Sequence, residues 1–159
     1  MIETKKVLGR RIELLLVALM GVNIFWGALV FMGFLGLDVL GWLIMNICSP
    51  SEMVAIIGIL TKKRLISSIS IPLLLRFGGL GLFIFSWSGF MLQGQLNHII
   101  MVLTSIYILW ASCKARAWKD LFIGIVIGVA VVVLVDFLIF PLYFANAPPK
   151  VKELLEYYK

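Results

Sequence analysis

The fold is decided by an apolar stretch near the end of the chain, residues 121–144, which reads LFIGIVIGVAVVVLVDFLIFPLYF. Asp136 is its single charged residue. A helix of roughly 20 apolar residues crosses the hydrocarbon core of a bilayer, which is about 30 Å thick. The stretch is apolar on every side rather than at alternate positions, which excludes a strand of a transmembrane barrel. It therefore predicts a membrane-spanning helix.

Four more apolar segments precede this one, at about residues 12–35, 39–60, 65–92 and 96–113. Of the 159 residues, 62% are hydrophobic and 14% are charged, whereas soluble domains carry about 25% charged residues. One soluble core of this size could not bury so much apolar surface. We therefore predict an all-α, polytopic integral membrane bundle of five transmembrane helices, residues 1–147, followed by a short amphipathic tail, residues 148–159.

Lysine and arginine fall in alternate gaps between the segments. They precede segment one and follow segments two and four, whereas the gaps after segments one and three hold none. Because cytoplasmic loops carry the excess of basic residues, we predict a cytoplasmic N-terminus and an external C-terminus, in the plasma membrane. The ten basic residues of the predicted inner side are Lys5, Lys6, Arg10, Arg11, Lys62, Lys63, Arg64, Lys114, Arg116 and Lys119.

The net charge of +6 does not indicate a nucleic-acid partner. A protein that binds nucleic acid gathers its basic residues on one polar face. Here they stand in short clusters at the ends of apolar segments, where topology and anionic lipid headgroups place them. Membrane lipid is the expected partner of these charges.

The second segment contains a helix-start signal at its middle, Ser49-Pro50-Ser51-Glu52. A serine N-cap, a proline at the first helical position and a glutamate that reaches back form a capping box. Three structures are compatible with it: one helix kinked at Pro50, two half-helices that meet inside the membrane, or a short surface helix at 37–48 followed by a new helix. The alternative to five spans is therefore four spans plus a re-entrant or surface helix.

Two charged residues lie deep inside apolar segments, Arg76 and Asp136. A charge at the centre of a bilayer costs roughly 2.5–3.5 kcal/mol on insertion scales, so each needs a reason to be there. At about 1.5 Å per residue, Arg76 lies about 18 Å beyond Arg64 and Asp136 about 22 Å beyond Leu121. These similar depths predict an ion pair between segments three and five. Such a pair fixes the helix register or helps to move ions or protons; otherwise each side chain snorkels to its nearer surface.

Glu52 and Asn23 are the other interior polar groups. Glu52 is predicted to cap a helix, with a proton or cation site as the alternative, and Asn23 to hydrogen-bond a neighbouring helix. Gly124 and Gly128 form a G-x-x-x-G motif that lets two helices approach closely, within the chain or between two copies. These four residues and the charged pair are the candidate sites for transport and helix packing.

No catalytic motif accompanies these residues. The sequence has no P-loop, H-E-x-x-H, G-x-S-x-G or C-x-x-C pattern. His98, the only histidine, is expected at the outer membrane surface, far from Cys48 and Cys113, so we predict no metal site and no haem. The two cysteines are expected to be buried, free thiols. We expect no cofactor and no catalytic residue.

Three features of residues 85–149 form a recognisable layout. Gly89-Phe90 stands near the end of the third segment, Arg116-Ala117-Trp118-Lys119 forms a basic-aromatic loop before the last helix, and Pro148-Pro149 follows that helix. This layout resembles the small membrane subunit of the tripartite tricarboxylate transporters. The resemblance implies an accessory role beside a large carrier subunit and an external binding protein, with no catalytic residue.

The sequence thus predicts a non-enzymatic integral membrane subunit that works in transport, within a complex with other membrane subunits or as a homo-oligomer. One alternative is a small homo-oligomeric channel or carrier, with Arg76, Asp136 and Glu52 on its pathway. Another is a membrane-embedded subunit that handles lipid or quinone. The tail is predicted to lie on the membrane or to dock a partner through apolar residues at helical spacing: Val151, Leu154, Leu155 and Tyr158.

The charge pattern makes a prediction about orientation in the cell. In a variant whose native cysteines are replaced by serine, Lys63→Cys should not react with a membrane-impermeant thiol reagent applied to intact cells, because the basic side is cytoplasmic. The matched variant Lys150→Cys should react. Mass-shift labelling on gels measures both, and labelling at position 63 in intact cells would reverse the assigned orientation.

Overall fold

The computed structural model describes residues 2–89 and 91–157, with the side chains of residues 2–8, 91 and 154–157 outside that description. All regular structure in these residues is helical. The α-helices are α1 (Ile2–Ala28), α2 (Val39–Met45), α3 (Cys48–Thr61), α4 (Arg64–Leu73), α5 (Leu80–Ile84), α6 (Met91–Lys114), α7 (Trp118–Leu134), α8 (Phe140–Ala145) and α9 (Pro149–Tyr157). Three π-helical segments extend or join them: Leu29–Phe34 after α1, Leu74–Gly79 between α4 and α5, and Val135–Ile139 between α7 and α8.

Four continuous helical stretches are long and apolar enough to cross a membrane: Gly9–Phe34, Arg64–Ile84, Leu92–Lys114 and Trp118–Ala145. Together α2 and α3 pass the same test, but they meet at a bend of 88°. The described residues thus provide four helices of membrane-spanning length, or five if the bent pair counts as one. The prediction of an all-helical chain with four to five such helices is confirmed.

The break in the second segment lies before Pro50. Asn46 ends α2 and Ile47 precedes α3, so Pro50 is in the first turn of α3, where the missing N–H needs no partner. Ile47 offers no side-chain cap, and the Asn46 amide donates to the Ser49 hydroxyl at 2.9 Å. The predicted capping box is therefore wrong. A bend of 88° also makes two helices of this segment, rather than one helix kinked at the proline.

The most extensive helix contact joins α4 to α7, which run parallel. A Cβ added to Gly124 would fall against the Ser68 side chain, and one added to Gly128 would fall against the Ile69 carbonyl and the Pro72 ring. The missing side chains thus let the two backbones approach closely. The G-x-x-x-G motif is used within the chain, where both glycines are buried.

The basic residues between the helices collect at one end of the bundle. The Tyr107 hydroxyl near the end of α6 donates to the Gly9 carbonyl near the start of α1, at 3.2 Å. The start of α7 lies beside the start of α4, because Gly124 contacts the Leu65 carbonyl. The turn between α3 and α4 lies at this same end, since Gly58 packs against the Ser67 backbone. The arrangement of the helices therefore places the gaps that contain lysine and arginine at one end of the bundle, in agreement with their alternation along the sequence.

The tail helix α9 folds back onto the opposite end. Val151 is buried between Leu37 and Ala147, which are themselves buried. The tail therefore docks on its own chain through Val151. The side chains of Leu154 and Leu155, and all of Tyr158, lie outside the described residues. Partly buried residues complete this small cluster: Phe31, Leu35, Met45, Tyr143 and Phe144.

The glycine contact predicts a selective loss of stability. Gly128→Ala should lower the free energy of unfolding by about 1–3 kcal/mol, because a backbone carbonyl and a proline ring cannot yield to the new methyl group. Gly21→Ala is the matched control: it is also helical, and nothing lies within 4 Å of its Cβ position. The control should be neutral or stabilising by up to about 1 kcal/mol through helix propensity. Thermal unfolding in detergent measures both, and equal behaviour would refute the close contact.

Candidate functional site

Arg76 and Asp136, which lie deep in the third and fifth apolar segments, meet in the structure. The Arg76 Nε donates to the Asp136 Oδ2 at 2.8 Å. Arg76 lies about 12 Å before the end of its helical stretch at Ile84, and Asp136 about 14 Å before the end of its own at Ala145. The two parallel helices thus carry opposite charges at matching heights. Pairing replaces the alternative in which each side chain snorkels to its own surface.

Each partner of the ion pair occupies a π-helical segment, Leu74–Gly79 for Arg76 and Val135–Ile139 for Asp136. A π-helical turn holds more residues than an α-helical turn and is frequently found at functional sites. Pro72 lies just before the first segment and lacks the N–H that an α-helix would use there. The ion pair therefore joins two helices at points where both depart from regular α-helical geometry.

The ion pair lies at the edge of the bundle. The Arg76 side chain is 40% exposed and that of Asp136 is 16% exposed. The Arg76 guanidinium also lies 5.8 Å from the ring centre of Phe77, a cation–π contact. Leu75 and Phe137, which adjoin the pair in sequence, are exposed. A guanidinium has five N–H donors, so one bond to Asp136 leaves donor capacity on its exposed side.

The second polar centre is fully buried. Glu52 is 0% exposed, its Oε1 accepts from Asn23 Nδ2 at 3.4 Å, and its Oε2 has no hydrogen-bond partner among the described residues. Glu52 is the fifth residue of α3 and makes no bond to the helix start, so its predicted role as a cap is wrong. The structure places Asn23 of α1 against α3 through this bond.

The His98 side chain packs against other side chains of the bundle. It is 6% exposed, stacks on the Phe85 ring at 5.6 Å, and its Nδ1 lies 3.1 Å from the Gln95 Oε1. Its predicted depth at the outer membrane surface stays a prediction. Cys48 and Cys113 are free thiols, and no group of three or more His, Cys, Asp or Glu in the described residues could hold a metal ion.

The structure buries a set of serine and threonine hydroxyl groups that the sequence analysis did not predict. The string Ser67-Ser68-Ile69-Ser70 within an apolar segment was the available signal. Ser51, Ser70 and Ser105 donate to carbonyls of their own helices, which satisfies a hydroxyl without a partner helix. Small residues of this kind let helices pack closely. The buried set comprises Ser49, Ser51, Ser67, Ser68, Ser70, Thr104, Ser105 and Ser112.

Comparison with known protein families, curated proteins and solved structures finds no match. The fold itself defines a class: an all-helical chain with four to five helices long and apolar enough to span a membrane. Within that class, the distinguishing features of the described residues are an ion pair at the bundle edge and a carboxyl group in the bundle interior.

Charge exchange tests the ion pair. Arg76→Asp and Asp136→Arg should each lower the yield of folded protein, because each places like charges side by side between apolar helices. The double variant restores opposite charges and should recover most of that yield. Size-exclusion chromatography of a fluorescent fusion measures the folded fraction. A double variant no better than its worse single variant would show that the pair does not stabilise the fold.

Proposed function

We propose that the chain is an integral membrane protein and a non-enzymatic accessory subunit of a transport complex. The observation that carries this proposal is the 40% exposed side chain of Arg76, at mid-length on a membrane-length helix. In a membrane this charge would face hydrocarbon unless another molecule covered it. A second membrane subunit that packs there supplies that cover.

The physical argument rests on what lipid tolerates. Apolar helix faces are as stable against lipid tails as against another protein, so the exposed apolar surface alone identifies no partner. In Gly9–Phe34 and in Trp118–Ala145, only 17% of the most apolar 18 residues is buried, and lipid can cover the remainder of each helix. A guanidinium is different, because intramembrane charges face a bundle interior or a water-filled cavity. The ion pair therefore favours a protein partner at this particular face.

The resemblance to the small membrane subunit of tripartite tricarboxylate transporters agrees with this proposal. That family places an accessory membrane chain beside a large carrier subunit. The basic end of the bundle supports a cytoplasmic N-terminus and an external tail, through the same charge rule. The plasma membrane is the corresponding location.

A second function has one observation in its favour. The buried Glu52 carboxyl, which has one oxygen without a hydrogen-bond partner in the described part of the chain, is the kind of group that carriers and channels use for ions or protons. A small homo-oligomeric carrier with Glu52 on its pathway would need no larger subunit. Because Gly124 and Gly128 are occupied within the chain, its oligomer contact would use another surface.

Purification at native expression level separates the two functions. The tagged chain in mild detergent should copurify with one multispanning protein at a fixed ratio. The neutral double variant Arg76→Gln/Asp136→Asn should stay folded and lose at least about tenfold of the bound partner, since truncating a buried charged contact commonly costs 2 kcal/mol or more. Quantitative mass spectrometry of the eluate gives the ratio.

Phe122→Ala is the matched control. Phe122 is 72% exposed and lies on the same helical stretch as Asp136, Trp118–Ala145, but nearer the basic end. This variant should keep the partner. A chain that purifies only with itself, and that carries solute or ion flux in proteoliposomes, would establish the carrier function instead. Flux lost on Glu52→Gln would then assign the pathway.

A further inference from the structure

We infer that Glu52, in a polar layer between α1 and the α2–α3 bend, forms a binding site for a small monovalent cation, either a proton or an alkali ion. The inference does not depend on the subunit proposal, because Glu52 lies inside the bundle and the Arg76 face lies at its edge.

The layer lies between α1 and the start of α3, which run antiparallel, and it extends over two adjacent turns of α1. Asn23 of α1 donates to Glu52 of α3, and Gly27, one turn further along α1, lies against the Asn46 amide and the Ser49 hydroxyl. Asn46 and Ser49 bond each other at 2.9 Å. A Cβ added to Gly27 would collide with the Asn46 side chain, so the glycine makes room for the polar group. Polar side chains therefore occupy consecutive turns of one interface.

No lysine or arginine in the part of the chain that the structure describes pairs with the polar layer. Glu52 takes part in neither of the ion pairs formed by the described residues, which join Arg10 to Glu13 and Arg76 to Asp136. A buried carboxylate without a cation is costly in a low-dielectric interior, and a buried acceptor without a donor adds to that cost. A cation on Oε2 removes both costs. The fully buried, unpartnered oxygen marks where it binds.

The donor set defines the class of cation. The Glu52 carboxylate is a hard oxygen ligand, which suits a proton or an alkali ion and not a soft metal, and the Ser49 hydroxyl lies one turn earlier on the same helix. A calcium ion commonly takes several carboxylates, and Glu52 is the only acidic residue of α2 and α3. The site lies near the break between α2 and α3, and broken helices also form small-cation sites in membrane carriers.

The neighbouring titratable groups are few. The elements packed against α3 are α1, α4 and the segment Leu74–Gly79. On α1, the charged residue closest in sequence to Asn23 is Glu13, and α4 carries Arg64; both lie toward the basic end. Arg76 of the segment is bonded to Asp136. Cys48 lies one turn before Glu52 on α3. A response of Glu52 must therefore be separated from one of Cys48, which Cys48→Ala does.

Infrared difference spectroscopy of the intact protein in lipid tests the site. The readout is the carboxylic acid C=O stretch, assigned to Glu52 by its loss in Glu52→Gln. If Glu52→Gln does not fold, Glu52→Asp supplies the assignment, because the shorter acid absorbs at a different frequency. Asp136→Asn is the control that should leave the Glu52 band in place.

Two titrations identify the cation. If an alkali ion binds, adding Na⁺ at constant pH in place of choline should remove or shift the Glu52 band. If a proton binds, only pH should do so, and Na⁺ should have no effect. Asn23→Leu should move the midpoint by roughly tenfold in cation concentration, the size of one hydrogen bond to a charged group. A Glu52 signal that changes with neither pH nor Na⁺ overturns the inference, while the copurification result stands or falls separately.

Discussion

The close parallel contact between α4 and α7 is the constraint on which the arrangement of charges depends. Gly124 and Gly128 remove the side chains that would hold the two backbones apart, and the Ile69 carbonyl and Pro72 ring fill that space. Two turns further along, the same closeness brings Asp136 within 2.8 Å of Arg76. A wider separation would leave both charges without a partner between apolar helices, which is the most expensive state for them.

The two polar centres differ in what surrounds them, and this difference separates their proposed roles. The Arg76–Asp136 pair is internally neutral and partly exposed, so it fits a face where another subunit packs. Glu52 forms no ion pair with any of the described side chains and is wholly enclosed, so it fits the binding of something small enough to enter the bundle. Because both glycines of the G-x-x-x-G motif serve the internal contact, association with other chains requires a different surface.

Much of this architecture could be predicted because long apolar segments follow simple rules. Apolar runs of membrane-crossing length must be helical, and the all-helical prediction of four to five such helices follows from length and hydropathy alone. The pairing of Arg76 with Asp136 was predicted from their similar depths, and the structure shows it. The break at Asn46 could not be located from the sequence. The capping-box pattern at Ser49–Glu52 indicates a helix start, whereas the structure forms a hydrogen bond from Asn46 to Ser49 instead. Local rules cannot weigh an interaction with Asn23 on another helix.

The sequence by itself determined which segments are apolar enough to span a membrane and which end of the bundle is basic, since both properties are sums over neighbouring residues. Only the tertiary structure decided which polar groups meet. In the structure, Asn23 hydrogen-bonds Glu52 and His98 stacks on Phe85. Arg76 and Asp136 lie in π-helical segments. The reason is physical: the energy of a buried polar group depends on the atoms that face it, and those come from helices distant in the chain.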